Sequence, residues 1–273
     1  MINNPCSVEY FQRVRISAVS LLKMVLHARS GGDIEVMGMM YGKLMEHEMI
    51  ITDVFALPVE GTETRVNAHE SANEYLIQYK DLLAQVGRTE NVIGWYHSHP
   101  GYGCWLSGID VGTQSDFQTH MDPFLAIVVD PHRTASAGKV DIGAFRTYPE
   151  SFKASSSSNF SRHSIPVDKV EDFGVHASRY YSVQVSFFKT AADASVLRSL
   201  WNQYWMNTLS SSPLLANPAY LNSQMRDVAR KVEMLSASNR SSTTSTGATR
   251  GIDAVSQVQS DVSNVRLLLF VLC

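Results

Sequence analysis

The order in which helix-type and strand-type segments follow one another constrains the fold more than any other feature of the sequence. Apolar residues recur at helical spacing in residues 17–29, where Ser17 is a candidate N-cap, and in residues 67–86. Ser107 or Asp110 is a candidate N-cap of a further helix that ends at about residue 121. The segments that are typical of strands are residues 34–43, 49–59, 91–99, 124–129 and 139–146, and the first two are predicted to form a hairpin with its turn at residues 46–48. The resulting order, α-β-β-α-β-α-β-β, predicts an α/β domain with a central mixed sheet flanked by helices.

The composition is that of a globular protein with a core of its own. Of the 273 residues, 44% are hydrophobic and 18% are charged, which excludes a wholly disordered or fibrous chain. The net charge of −3 gives no reason to expect nucleic acid as a partner. Cys6, Cys104 and Cys273 form no CxxC pair, which favours a reducing compartment over a disulfide framework. No apolar run has the length of a signal peptide core or a membrane helix, so we expect an intracellular protein without a membrane partner.

Composition and periodicity also divide the chain into parts. We expect a short N-terminal arm at 1–15, the core of the domain at 16–150, a Ser-rich surface insertion at 151–164, the completion of the domain at 165–210, and a C-terminal helical region at 211–273. Within the last part, apolar residues of 221–235 and 255–272 recur at alternating spacings of three and four, which predicts two helices that bind partners. The Ser/Thr-rich residues 236–247 between them are predicted to be flexible.

A histidine-rich motif carries the strongest indication of chemistry. It has the form His97-x-His99-x7-Ser107-x2-Asp110 and lies at the end of a predicted strand. Residues two apart on a strand point to the same side, so His97 and His99 offer two imidazoles to one point. The loop after them can return the Asp110 carboxylate to that point. Two histidines and one carboxylate, with an open fourth position, are the ligands of a catalytic zinc ion.

A hydrolytic zinc site also needs a group that carries protons. A carboxylate beside the metal can take a proton from the attacking water and deliver it to the leaving amine. Glu35, at the start of a predicted strand, is one candidate, and Glu60 and Glu63 in the following polar segment are others; spacing alone does not choose among them. Cys104, inside the motif, is predicted to be a packing residue rather than a reactive thiol or a further metal ligand.

These residues resemble a known family. The motif, with Glu35 upstream, resembles the JAMM motif of MPN-domain metalloproteases, which implies an MPN (JAMM) fold. Four stretches are similar to the catalytic subunits of the COP9 signalosome, namely ALPVEGTETRVNA at 56–68, GWYHSHPGYGCWLSGIDV at 94–111, SAGKVDIGAFRTYP at 136–149 and KVEDFGVH at 169–176. The resemblance extends from about residue 16 to about residue 235, and none is found beyond residue 236.

The resemblance implies a role for each residue of the motif. His97, His99 and Asp110 are implied to bind one zinc ion, with water as the fourth ligand. Glu35 is implied as the general acid/base, and Ser107 as a donor to the oxyanion of the tetrahedral intermediate. The implied reaction is hydrolysis of the isopeptide bond between a ubiquitin-like modifier and a cullin lysine.

The resemblance also implies regulation and partners. The isolated subunit is expected to be latent, with Glu63 near the zinc and Arg65 paired with Asp110. The implied partners are the other COP9 signalosome subunits, above all a second MPN-domain subunit, and neddylated cullin-RING ligases as substrates, in the cytoplasm and nucleus. Two alternatives remain: a deubiquitinase of the proteasome-lid type, which shares the HSHPGxGCWLS core, and a non-catalytic MPN scaffold.

Overall fold

The computed structural model describes residues 10–61, 68–88, 90–149, 165–200 and 218–241. The strands are β1 Arg13–Ser17, β2 Glu35–Met45, β3 Glu48–Gly61, β4 Asn91–Ser98, β5 Leu125–Asp130, β6 Asp141–Thr147 and β7 Tyr180–Phe188. The helices are α1 Ala18–Ser30, α2 Ala68–Gln85, α3 Gly108–Met121, α4 Pro131–Ala137, α5 Val170–His176, α6 Ala191–Leu200 and α7 Pro218–Ser241, with a 3-10 turn at Val167–Lys169.

The strands form one mixed sheet that closes into a barrel in the order β1-β3-β2-β4-β5-β6-β7. Strand β1 closes it by pairing in parallel with both β3 and β7. Strands β4 and β5 are also parallel, whereas the β2–β3, β2–β4, β5–β6 and β6–β7 pairs are antiparallel. The predicted central mixed sheet is therefore confirmed.

Both faces of the sheet are buried, which explains why its strands carry long apolar runs. On β4, Tyr96 belongs to the cluster that packs under α1, whereas the adjacent Trp95 belongs to a second cluster that packs under α2 and α3. The same alternation separates Ile127 from Val128 on β5. The sheet thus lies between helices on either side, and the end of β4 is enclosed by them.

Several local predictions are confirmed. Ser17 caps α1 by accepting a hydrogen bond from the backbone N–H of Ser20. Strands β2 and β3 form the predicted hairpin, and His47 in its turn has φ 61°. Helix α2 lies where its apolar spacing predicts, with Tyr79 stacked on Phe55 at 4.3 Å between ring centroids.

Other elements differ from the predictions. Residues 13–15, assigned to the N-terminal arm, belong to β1, because pairing on both sides stabilises a strand too short to be recognised by its own pattern. Strand β3 continues to Gly61, into the predicted polar loop. Helices α4 and α5 were not predicted, since seven residues are too few to display a helical period.

The C-terminal region is described only in part. Helix α7 runs to Ser241, so the first six residues of the segment predicted to be flexible, 236–247, are helical. The Ser-rich insertion at 151–164 and the predicted helix at 255–272 lie outside the described residues. Among the helices that are described, none combines the length and the apolar character needed to cross a membrane.

Candidate metal centre

Strand β4 supplies the two histidines of the motif. His97 is its penultimate residue, and His99 stays extended because its backbone N–H donates to the Val129 carbonyl at 3.0 Å. The side chains, two residues apart, point to the same side of the strand, as predicted. They are 3% and 1% exposed, so the imidazoles are almost wholly removed from water.

Helix α3 supplies the carboxylate. Ser107 is its N-cap, and Asp110 is its third residue, so the two form a reciprocal capping box. Asp110 Oδ2 accepts hydrogen bonds from the Ser107 backbone N–H at 2.9 Å and from Ser107 Oγ at 2.6 Å. Asp110 is 2% exposed. The cap therefore fixes the carboxylate at the helix N-terminus, facing the histidines.

The three side chains converge on one point. His97 Nε2 and His99 Nε2 are 3.1 Å apart, and they lie 3.4 and 3.5 Å from Asp110 Oδ2. Within the described part of the chain, these three form a group whose ligand atoms all lie within 4.8 Å of one another. Two imidazole nitrogens and a carboxylate buried this closely fit a metal ion, since a cation satisfies all three together.

The second nitrogen of each imidazole differs in its surroundings. His99 Nδ1 lies 3.0 Å from the Gly103 carbonyl oxygen, which fixes the tautomer that leaves Nε2 free for a metal. His97 Nδ1 is buried without a hydrogen-bond partner among the described residues. Its ring is instead held by stacking on Trp95, with centroids 4.6 Å apart and planes 17° apart.

The surroundings of Asp110 favour the ionised form of its carboxyl group. Burial by itself raises the pKa of the Asp110 carboxyl. The imidazoles of His97 and His99 outweigh burial and hold that pKa well below its usual range. Asp110 therefore offers a negative oxygen to a cation throughout the neutral pH range.

Glu35 lies at the first position of β2, next to the same site. The Tyr102 hydroxyl donates to Glu35 Oε1, and the Tyr102 ring packs on the His99 ring at 4.5 Å between centroids. The neighbouring Val36 N–H donates to Ser98 Oγ at 2.9 Å, which ties the start of β2 to the end of β4. Tyr102 thus lies between the Glu35 carboxylate and the His99 ring.

Three residues of this arrangement were not predicted from the sequence. Tyr102 holds Glu35, Ser98 binds the adjacent backbone, and Asp130 binds the loop between the motif histidines and Asp110. The two glycines of the loop, Gly101 and Gly103, are the feature of the sequence that indicates it. Both adopt positive φ values, 90° and 89°, which favour glycine. What the loop is bound to could not be inferred from its own residues.

The other residues considered in the sequence analysis are Cys104, which the structure describes, and three residues of the polar segment, Glu60, Glu63 and Arg65. Cys104 packs against the core cluster that contains Trp95, and burial raises the pKa of its thiol well above the usual range. Its sulfur is not part of the metal-binding group. Glu63 and Arg65, the predicted latch, lie outside the described residues, and Glu60 is known only as a backbone position opposite Val36.

The fold and the site together define a class of protein, in which a closed mixed sheet and a helix N-terminus hold two histidines and an aspartate at a buried site that can bind a metal ion. Residues 9–123, which include this site and Glu35, match the family described as JAB1/Mov34/MPN/PAD-1 ubiquitin protease. Residues 210–265 match the family described as Cop9 signalosome subunit 5 C-terminal domain.

Similar proteins from several organisms are named as subunit 5 of the COP9 signalosome complex. The chain is 59% identical over 224 residues to COP9 signalosome complex subunit 5 of Dictyostelium discoideum, covering 82% of this chain and 68% of that protein. It is 59% identical to subunit 5a of Arabidopsis thaliana, covering 82% and 63%, and 53% identical to subunit 5 of Caenorhabditis elegans, covering 94% and 69%. The chain belongs to the family of COP9 signalosome complex subunit 5 proteins, and it spans about two thirds of the length of these relatives.

The match at 210–265 corrects the prediction that the resemblance ends near residue 236. A helix that binds other helices is specified mainly by the spacing of its apolar residues, so it tolerates many changes of identity.

Proposed function

We propose that this chain is the catalytic subunit of a COP9 signalosome, a zinc-dependent isopeptidase that removes a ubiquitin-like modifier from cullins. The observation that carries the proposal is the buried group of His97, His99 and Asp110 with the Glu35 carboxylate beside it. The name shared by the relatives supports the choice of complex.

Zinc is proposed because of the chemistry of the donors. Two imidazoles and one carboxylate, without a thiolate, are a ligand set of catalytic rather than structural zinc sites. A zinc ion in this position supplies a Lewis acid and lowers the pKa of water towards neutrality. The protein residues hold the three donors in place, with Asp110 fixed by its cap and His99 by the Gly103 carbonyl.

Glu35 is proposed as the proton carrier. Its carboxylate takes a proton from the attacking water and later gives it to the leaving lysine amine. The Tyr102 hydroxyl orients the carboxylate, and burial, followed by the charge of Glu35, raises the pKa of Tyr102 well above its usual value. Tyr102 therefore remains a hydrogen-bond donor and does not compete for the proton.

Ser107 is proposed to stabilise the oxyanion of the tetrahedral intermediate. Its hydroxyl donates to Asp110 Oδ2 at 2.6 Å and accepts from the Asp110 backbone N–H at 3.3 Å. A rotation about the Cβ–Oγ bond redirects the single hydroxyl proton from the carboxylate to the substrate. The Ser107 backbone N–H, which donates to the same carboxylate oxygen, keeps the cap in place during this rotation.

The second candidate function is that of a deubiquitinase, which the description of the family matched by residues 9–123 favours. A decisive experiment assembles the full chain with its partner subunits and zinc, and offers it a neddylated cullin and a ubiquitin dimer in parallel. Release of the modifier from the cullin alone supports the proposal. Cleavage of the ubiquitin dimer alone favours the deubiquitinase, and cleavage of neither by a complex that contains zinc favours the non-catalytic scaffold.

We also propose partners and a location for the chain. The C-terminal helices are proposed to bind other subunits, and a second MPN-domain subunit to bind the zinc domain. On α7, the apolar side chains of Met225, Val232 and Met234 are 54%, 45% and 58% exposed, which supports such a role. With cullin-RING ligases as the proposed substrates, the cytoplasm and nucleus are the proposed location.

The free chain is proposed to be latent because of Glu63 and Arg65. A carboxylate from this loop can occupy the open position beside the metal, and an arginine can pair with Asp110. Replacing Glu63 with alanine, or Arg65 with threonine, is expected to raise the basal hydrolysis of the isolated chain by about tenfold or more, since a change of about 1.4 kcal/mol in the latent-to-active equilibrium suffices. Steady-state cleavage of a fluorogenic modifier substrate measures this. Glu74→Ala is the neutral control. If Glu63→Ala and Arg65→Thr both stay as inactive as the unaltered chain, the latch proposal is wrong.

A further inference from the structure

Helix α7 contacts the loop that follows the two motif histidines. Tyr220, in the first turn of α7, is 9% exposed. Its ring atoms Cδ2 and Cε2 lie 3.1 and 3.2 Å from the position that a Cβ on Gly101 would occupy. Its ring also meets the His132 ring edge-on, with centroids 5.7 Å apart. The start of the C-terminal helical region is therefore packed directly on the metal-site loop.

The Tyr220 side chain lies beside Arg133, on the short helix α4. Burial raises the pKa of Tyr220 to about 12 against the opposing effect of the Arg133 guanidinium, so the hydroxyl is neutral and lies near that cation. The Arg133 guanidinium lies against Gly103, with NH1 2.8 Å from the position of a Cβ there. Arg133 Nε is 3.4 Å from Asp130 Oδ2. Arg133 thus connects Tyr220 to both the loop and Asp130.

Asp130 holds the loop by its backbone. This carboxylate is fully buried, and it accepts from the Gly101 N–H at 3.0 Å and from the Gly103 N–H at 2.8 Å. The Gly103 carbonyl in turn lies 3.0 Å from His99 Nδ1. An uninterrupted series of contacts therefore leads from α7 to the orientation of a metal ligand.

We propose that Tyr220 is a positioning residue for the metal ligands, acting through Arg133 and Asp130 on the loop that orients His99. Two glycines with positive φ leave this loop few restraints of its own, so its position depends on what binds it. A hydrogen-bond partner on the second imidazole nitrogen fixes the direction of the first, and its loss typically costs about 10- to 100-fold in metal affinity. The inference rests on the proposed metal site.

The middle of α7 is attached to the domain independently of Tyr220. Asp227 Oδ1 accepts from the Val167 N–H at 3.0 Å, and Arg230 pairs with Asp168 at 2.9 Å. Removing only the Tyr220 hydroxyl therefore leaves the helix docked. The substitution Tyr220→Phe tests the polar interaction of the hydroxyl with Arg133 without removing the packing of the ring on Gly101.

The test measures the affinity of the full chain for zinc by competition with a chromophoric chelator. Because Arg133, Asp130 and Gly103 lie between Tyr220 and His99, we expect Tyr220→Phe to weaken zinc binding by about 3- to 10-fold, less than the loss of a direct partner. The cobalt(II)-substituted variant should show a shifted visible spectrum, which reports ligand geometry. Tyr181→Phe is the matched control, since the Tyr181 hydroxyl accepts from Arg146 Nε at 3.1 Å, between β7 and β6.

A second substitution tests whether Tyr220 acts through Arg133. Arg133→Lys keeps the charge near Asp130 but removes the guanidinium, and it should weaken zinc binding at least as much as Tyr220→Phe. In the double variant the two effects should not add, because both interrupt one series of contacts. Additive losses would mean that Tyr220 acts by another route, and would overturn the proposal.

Two further results of the zinc-binding measurement distinguish a failure of this inference from a failure of the proposed function. Equal zinc affinities for Tyr220→Phe, Tyr181→Phe and the unaltered chain overturn the inference and leave the metal site intact. An unaltered chain that binds no zinc overturns the proposed function and the inference together. Thermal unfolding with chelator present controls for stability, and a loss of affinity in Tyr220→Phe at unchanged metal-free stability supports the positioning role.

Discussion

Replacing His97 with alanine is expected to abolish zinc binding and hydrolysis together. The site has three protein ligands, so removing one leaves two donors and an empty space in a buried cavity. The affinity for zinc should fall by more than ~100-fold, because even a residue that only orients a ligand contributes about 10- to 100-fold. Metal content by elemental analysis and cleavage by the assembled complex measure the two losses.

A stability measurement gives an independent readout of the same variant. Zinc at 100 times its dissociation constant adds about 2.7 kcal/mol to the free energy of unfolding of a protein that binds it only when folded. The unaltered chain should show this increase, and His97→Ala should not. His120→Ala is the matched control, since His120 is exposed on α3 and its Nδ1 lies 2.8 Å from the Asp116 carbonyl oxygen of the same helix. Full zinc occupancy in His97→Ala would show that the ligands are assigned wrongly.

Replacing Glu35 with glutamine is expected to separate metal binding from catalysis. The glutamine amide still accepts a hydrogen bond from the Tyr102 hydroxyl and leaves the ligands untouched. It cannot take a proton from water, and the loss of a general base typically lowers the rate by about 10²- to 10⁴-fold. Zinc occupancy should stay at the level of the unaltered chain, while kcat falls by that factor.

A matched glutamate controls for the change of charge. Glu46, exposed in the turn between β2 and β3, loses the same charge in Glu46→Gln, and its activity should be unchanged. If Glu35→Gln turns over at a nearly normal rate, the proton carrier is another carboxylate, and Glu63 and Glu60 are the next to be replaced. If Glu35→Gln loses zinc, the residue has a structural role instead.

The ligand set could be predicted from the sequence because each step of the inference is local. A period of two on a strand places His97 and His99 on one side, and the cap at Ser107 orients Asp110 within a single helical turn. Helix α1, the β2–β3 hairpin and α3 were predicted for the same reason, since caps, turns and apolar spacing involve neighbouring residues. The proton carrier remained open among three glutamates, because the choice depends on which strand lies beside β4.

In the C-terminal region, the sequence predicts a helix but not the contacts that the helix makes. The stripe of apolar residues at 221–235 predicts a helix but not its surroundings, and it did not reveal that Tyr220, just before the stripe, is buried against the metal-site loop. The pairs Asp227 with Val167 and Arg230 with Asp168 join residues about 60 positions apart. The spacing of apolar residues within one segment does not predict its contacts with the other.

By itself, then, the sequence determined the class of fold, the elements that carry the site, and the three residues that converge at the candidate metal site. The tertiary structure alone decided that Glu35 is bound by the tyrosine that packs on His99, how β1 closes the sheet, and that Asp130, Arg133 and Tyr220 contact the loop behind His99. The physical reason is the range of the interactions. Periodicity and capping act within a few residues, whereas strand pairing, burial and hydrogen bonds between distant segments arise only when the chain has folded.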